Sequence, residues 1–139
     1  MEERKQLVDV VRALGVEITA EYRGKTKRDK LDCYAWDVTL RLRGRTLSTP
    51  FYCGLGHATK PKSYWQTPNP IPPSAADVIY NLAMDAAAAS EPFSEFCSNM
   101  GYDEDSRKAL ETYLACQKSG DEFRAFAREH IAAFQDAEH

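Results

Sequence analysis

The sequence predicts one α+β domain over residues 1–139: an N-terminal helix, a three-stranded antiparallel meander, and three to four C-terminal helices packed on one face of the sheet. Three observations predict it. A chain of 139 residues with 43% hydrophobic and 28% charged content has room for one core and little more. Between Val16 and Cys53 apolar and polar residues alternate with period two. From Ser74 onward the apolar spacing changes to the helical three-and-four pattern.

Taken in order, Leu7, Val10, Val11 and Leu14 recur at helical spacing and Gly15 follows at a C-cap position, so a helix is expected over Glu2 to Leu14. Val16, Ile18, Ala20 and Tyr22 alternate with Glu17, Thr19, Glu21 and Arg23, the pattern of a half-buried strand. Gly24 to Lys30 is read as a mobile basic loop. Trp36, Val38, Leu40 and Leu42 then share one face of a second strand, and Arg45 to Cys53 makes a third. With Arg43 and Gly44 as a two-residue turn, Leu40 falls opposite Leu47, Val38 opposite Thr49 and Trp36 opposite Phe51. Pro50, opposite Asp37, lacks an N–H to donate, so the third strand is expected at an edge and the first beside the second. Trp36, Leu40 and Phe51 are the expected centre of the sheet core.

Gly54 to Pro73 holds two glycines, five prolines and the adjacent aromatics Tyr64 and Trp65, and reads as an extended loop. Ser74 with Asp77 signals a helix start at about Ala75, running to about Ala89. Pro92, Phe93, Phe96, Cys97 and Gly101 outline a short helix. Asp103 or Asp105 is the expected cap of the next, with Leu110, Tyr113, Leu114 and Gln117 on one face. Ser119 and Gly120 are expected to break or kink it before Phe123, Phe126, Ala127, Ile131 and Phe134 continue as a last helix.

Several function classes find no support. The longest apolar run, Asn81 to Ser90, is interrupted by Asp85, so no membrane span is expected. The charged N-terminus has no apolar segment behind it, which points to a cytosolic protein with reduced thiols. Cys53 and His57 lie close in sequence, but the strand pattern turns Cys53 inward as a small core residue, and no C-x-x-C spacing completes a zinc site. Gly54 to Gly56 lacks the rest of a dinucleotide fingerprint, and there is no Walker lysine motif. No catalytic residue, metal ligand or cofactor is therefore assigned, and the chain is not expected to be an enzyme.

Charge is the informative feature. Met1 to Pro73 carries 13 basic and 8 acidic residues, whereas Ser74 to His139 carries 5 and 13. The basic excess lies in residues 23–62 and includes Arg41, Arg43 and Arg45; the acidic half holds the consecutive Asp103, Glu104 and Asp105. Asymmetry of this kind suits a charged partner. Two readings follow. The acidic helices dock on a basic surface of a nucleic-acid-handling complex, or the basic residues contact phosphates directly while Tyr64 and Trp65 stack on bases.

The stretch Pro72 to Gln117, with Pro-Pro-Ser-Ala-Ala-Asp-Val-Ile-Tyr at its start and Phe-Ser-Glu-Phe-Cys-Ser-Asn-Met-Gly-Tyr-Asp-Glu-Asp-Ser from Phe93, resembles small accessory proteins of tailed bacteriophages and prophages. The likeness extends upstream to Tyr52-Cys-Gly-Leu-Gly-His57 and spans about half the chain. It implies a protein acting in the host cytoplasm as an anti-CRISPR or antirestriction inhibitor. Its partner would be a defence effector protein or ribonucleoprotein, bound stoichiometrically. The alternative function is a nucleic-acid-binding accessory protein. The candidate partner-binding residues are Asp103, Glu104, Asp105, Arg41, Arg43, Arg45, Tyr64 and Trp65.

Overall fold

The fold, taken from a computed structural model, is described for residues 2–28, 30–60, 63, 65 and 67–138. Its elements run α1 (Glu2–Leu14), β1 (Glu17–Arg28), β2 (Leu31–Leu42), β3 (Arg45–Gly54), α2 (Ala75–Ala89), α3 (Phe93–Met100), α4 (Arg107–Phe126) and α5 (Ile131–Glu138). This is the expected α+β order, with the sheet in the order β1-β2-β3. The chain forms two compact units: Val16–Ala75, which holds the sheet, and Met1–Gly15 with Ala76–His139, which holds the helices.

The β2–β3 register is the expected one: Leu40 faces Leu47, Val38 faces Thr49, Trp36 faces Phe51 and Asp37 faces Pro50. The two-residue turn sets it. Arg43 and Gly44 both have positive φ, 48° and 85°, the left-handed pair whose twist matches that of the flanking strands. Along β2, Tyr34, Trp36, Val38, Leu40 and Leu42 are buried, whereas Asp37 and Arg41 on the opposite face are exposed. Phe51 is only half-buried, so the deepest positions of the sheet core are in β2.

The segment expected to be a mobile loop is strand instead. β1 continues to Arg28 and pairs with β2 as far as Leu31. A register shift between Tyr22 and Gly24 makes Arg23 a bulge, and Gly24 (φ 102°) takes a backbone conformation that other residues rarely adopt. The bulge breaks the alternation, and beyond it Lys25, Thr26, Lys27 and Arg28 are all exposed, so no hydrophobic period marks the strand.

After β3 the chain makes a closed excursion. Ala58 bridges Pro70, the Ile71 N–H donates to the His57 carbonyl at 3.0 Å, and the Thr59 N–H donates to the Asn69 carbonyl at 2.8 Å. These cross-links close the base of the loop.

In the helical unit, Leu7 and Val11 of α1 are buried and α1 packs on α5, whose Phe134 stacks 5.9 Å from Phe123 of α4. Three expectations are corrected here. Ser106, rather than Asp103 or Asp105, caps α4: its side chain accepts from the Ala109 N–H at 3.2 Å. Serine in that position leaves the acids one to three residues outside the helix. Leu110 and Leu114 are exposed, while Ala109, Gly120, Phe123 and Phe126 are buried. Gly120 does not break α4, which runs on to Phe126; it is a close-approach point, where a Cβ would lie 2.9 Å from Ala86 Cα of α2. Small residues let the two helices meet, so the packed stripe of α4 is rotated away from its leucines.

Candidate functional site

The basic residues, continuous in sequence, are divided in space. β2 is twelve residues long, so the β1–β2 and β2–β3 turns lie about 35 Å apart at opposite ends of the sheet. Arg41, Arg43 and Arg45 belong to the β2–β3 end, with Glu17 the cross-strand neighbour of Arg41. Lys25, Lys27, Arg28 and Lys30 belong to the β1–β2 end.

At the latter end, neighbours temper the charge. Bulged Arg23 donates from Nε to Asp37 Oδ2, and its Nη1 lies 3.4 Å from Glu21 Oε1, so this guanidinium is committed to two carboxylates. Lys27 lies 4.0 Å from Asp32. The Arg28 guanidinium rests 4.2 Å above the Tyr52 ring, a cation–π contact across the polar face of the sheet. Beside them Leu31 is 72% exposed. Together these residues form a projecting, mostly basic hairpin arm with an apolar tip.

Trp65 is 74% exposed in the closed excursion, whereas Tyr64 lies outside the described residues. Lys62, part of the expected basic stretch, lies outside them as well.

Asp103, Glu104 and Asp105 form the turn between α3 and α4, and all three are exposed. Among the described residues none of them makes an ion pair. Their unit carries eight basic and sixteen acidic residues, net −8, while the sheet unit carries ten and five, net +5. The charge asymmetry of the sequence thus coincides with the division of the chain into two compact units.

Cys53 and Cys116 both sit where the thiol is favoured over the thiolate. Cys53 is buried on the core face as expected, and burial first, then the neighbouring Cys33, pushes its pKa up, the opposite of what a nucleophile requires. His57 is tied through its backbone, donating to the Gly54 carbonyl at 3.0 Å. Cys116, half-buried, donates to Asp85 Oδ1 at 3.9 Å; burial, then the Asp85 charge and hydrogen bond, push the thiol up to about 11. Among the described residues no cluster of histidine, cysteine and carboxylate side chains is able to hold a metal. Nor is any described helix long and apolar enough to cross a membrane.

A groove of about 360 Å³ between α2 and α3 is lined by Tyr80, Met84, Glu91, Phe96, Asn99 and Met100, among others. Tyr80 and Met84 are four residues apart on α2; Phe96 and Met100 are four apart on α3. Three apolar residues left exposed on these two helices, Tyr80, Met84 and Met100, are the signal that could have revealed it.

Comparison with known proteins adds no relative: no protein-family model, curated protein or solved structure matches the chain.

Proposed function

We propose that the protein is a non-catalytic antagonist of a bacterial defence complex that handles nucleic acid. In this reading it is encoded by a bacteriophage or prophage and works in the host cytoplasm by stoichiometric binding. The observation that carries the reading is the acidic turn. Ser106 performs the capping that would otherwise account for Asp103, Glu104 and Asp105, and these three carboxylates stand exposed on a unit of net charge −8. Exposed carboxylates in a turn repel like charge and steer toward basic surfaces, where they compete with phosphate for the same lysines and arginines. The resemblance of Pro72 to Gln117 to phage accessory proteins supplies the biological setting.

The test is a titration of purified defence effectors, anti-CRISPR and antirestriction targets among them, measuring cleavage of target DNA. Inhibition should saturate at equimolar protein. Inhibition that grows with time at a small fraction of the effector concentration would mean catalysis and would end the reading.

A second reading is favoured by the arm at Lys25 to Lys30 and the Arg28–Tyr52 contact, which presents a guanidinium and an aromatic ring together. Here the protein binds nucleic acid directly. Affinity for a random oligonucleotide should then fall steeply between low and physiological salt, and Arg28→Ala should reduce the slope by about one unit.

A further inference from the structure

The groove between α2 and α3 combines two kinds of surface that suit one kind of guest. Met84 and Met100, the chain's only methionines beyond the first residue, are each 50% exposed and both line it. Tyr80 is also exposed, and Phe96, 1% exposed, forms a buried wall. Methionine walls are polarizable and adjust to an unbranched aliphatic chain. At the α2–α3 turn stands Glu91, held at two points. Its carboxylate Oε2 accepts from Asn99 Nδ2 at 2.7 Å, and its carbonyl accepts from the Tyr113 hydroxyl at 2.7 Å. The carboxylate is therefore positioned before any guest arrives, and the unit around it is net −8.

We propose that this groove is the anchoring socket of the docking face and takes a lysine side chain presented by a basic surface of the partner protein. The four-carbon stem lies along Met84 and Met100, and the ammonium pairs with Glu91. Lysine fits better than arginine because Asn99 already engages one carboxylate oxygen, which suits a point charge rather than a two-pronged guanidinium. Phosphate-binding surfaces are rich in such side chains. The groove is open, with three walls substantially exposed, so a side chain carried by a surface covers it where a small amine would leave the methionines wet. This inference rests on the reading that the acidic helical unit is the docking face.

The experiment measures fluorescence anisotropy at physiological salt with a labelled amphipathic peptide of leucine and lysine, about 14 residues or four turns of helix. Matched peptides carry arginine or glutamine in place of lysine. Glu91→Gln keeps an acceptor for Asn99 and removes the charge, and Met84→Ser/Met100→Ser strips the walls at exposed positions. Each should weaken the lysine peptide about tenfold or more, and the glutamine peptide should not bind. Neutralising Asp103, Glu104 and Asp105 to their amides should weaken it less than Glu91→Gln does. Binding that is unchanged in Glu91→Gln, equal for the glutamine peptide, or weakened most by the triple amide variant would overturn the proposal. Circular dichroism confirms folding, and Glu91→Gln alone decides the matter if the serine variant unfolds. DNA-cleavage inhibition by the same variants separates the two ideas. Intact inhibition with lost peptide binding rejects the socket alone; socket binding without inhibition of any effector rejects the antagonist reading alone.

Discussion

Trp36 is 5% exposed on the core face of β2, with the Tyr22 ring 5.1 Å away, and its indole N–H has no hydrogen-bond partner among the described residues. Removing the side chain costs packing, whereas replacing it by phenylalanine also removes an unsatisfied donor, itself worth about 1–3 kcal/mol. Trp36→Ala should therefore destabilise by about 3–5 kcal/mol, and Trp36→Phe by about 1.5 kcal/mol or less. Urea melts of both variants check this, and equal losses would show that the indole N–H is satisfied. Cys116 makes a second prediction at this scale. Its ordinary value of 9.0 rises to about 11 in the folded chain, so the thiol's contribution is full below pH 9.0. As pH climbs toward 11 the unfolded chain releases a proton that the folded chain still holds, and stability falls. Cys116→Ala should flatten that part of the decline in melting temperature, and Asp85→Asn should make the thiol more reactive toward iodoacetamide at mildly alkaline pH. An unaltered pH profile in Cys116→Ala would show that another group causes the decline.

At the level of elements, Gly120→Ala opposes two effects. Alanine favours the helix by about 1 kcal/mol, but its Cβ would meet Ala86 Cα at 2.9 Å, a backbone atom that cannot swing aside. Overpacking costs about 1–3 kcal/mol, so net destabilisation is expected in a urea melt; a more stable variant would show that α2 and α4 separate easily. Arg43→Asn should act in the other direction, on the order of 0.5 kcal/mol, because asparagine tolerates the left-handed turn that arginine occupies at φ 48°. The β2–β3 hairpin is legible because the apolar residues of both strands, Leu40 with Leu47 and Trp36 with Phe51, fall on one face and the turn length leaves one register. The β1 extension was not, because Arg23 shifts the phase and the residues after Gly24 are exposed on both faces. The orientation of α4 was not legible either. Leucine usually marks the inward face, but here Ala109 and Gly120 lie inward because close helix approach requires small side chains. Ser106 carried a capping signal of its own, hidden by the three acids before it. Of the candidate site, charge asymmetry was readable from counts alone, whereas the α2–α3 groove required two helices to be brought together.

For the whole molecule, the segregation of charge between the two units makes the proposed docking face testable by reversal. If the protein is the antagonist proposed above, converting Asp103, Glu104 and Asp105 to lysine should abolish that inhibition while leaving the circular dichroism spectrum intact, since exposed charges add little to stability. Arg41→Glu with Arg43→Asp should be nearly silent in that assay; aspartate accepts the turn conformation at position 43, so folding survives. The reverse outcome, a silent acidic triple and an inactive basic pair, would move the contact to the β2–β3 end of the sheet. Because that end is about 35 Å from the basic arm at Lys25 to Lys30, a separate Lys25→Glu/Lys27→Glu variant decides between the two basic clusters.

Both margins of the sheet carry obstacles to a fourth strand. On β3, Pro50 has no N–H to offer a neighbour, and on β1 the bulge at Arg23 is followed by Lys25 and Lys27, which would face any incoming backbone with charge. A three-stranded sheet with strands of ten to twelve residues is otherwise a template for growth, chain upon chain. The residues that make β1 hard to see in the sequence thus double as obstacles to strand addition, and a chain without the bulge and with Pro50→Val should form thioflavin-binding fibrils more readily than the natural one.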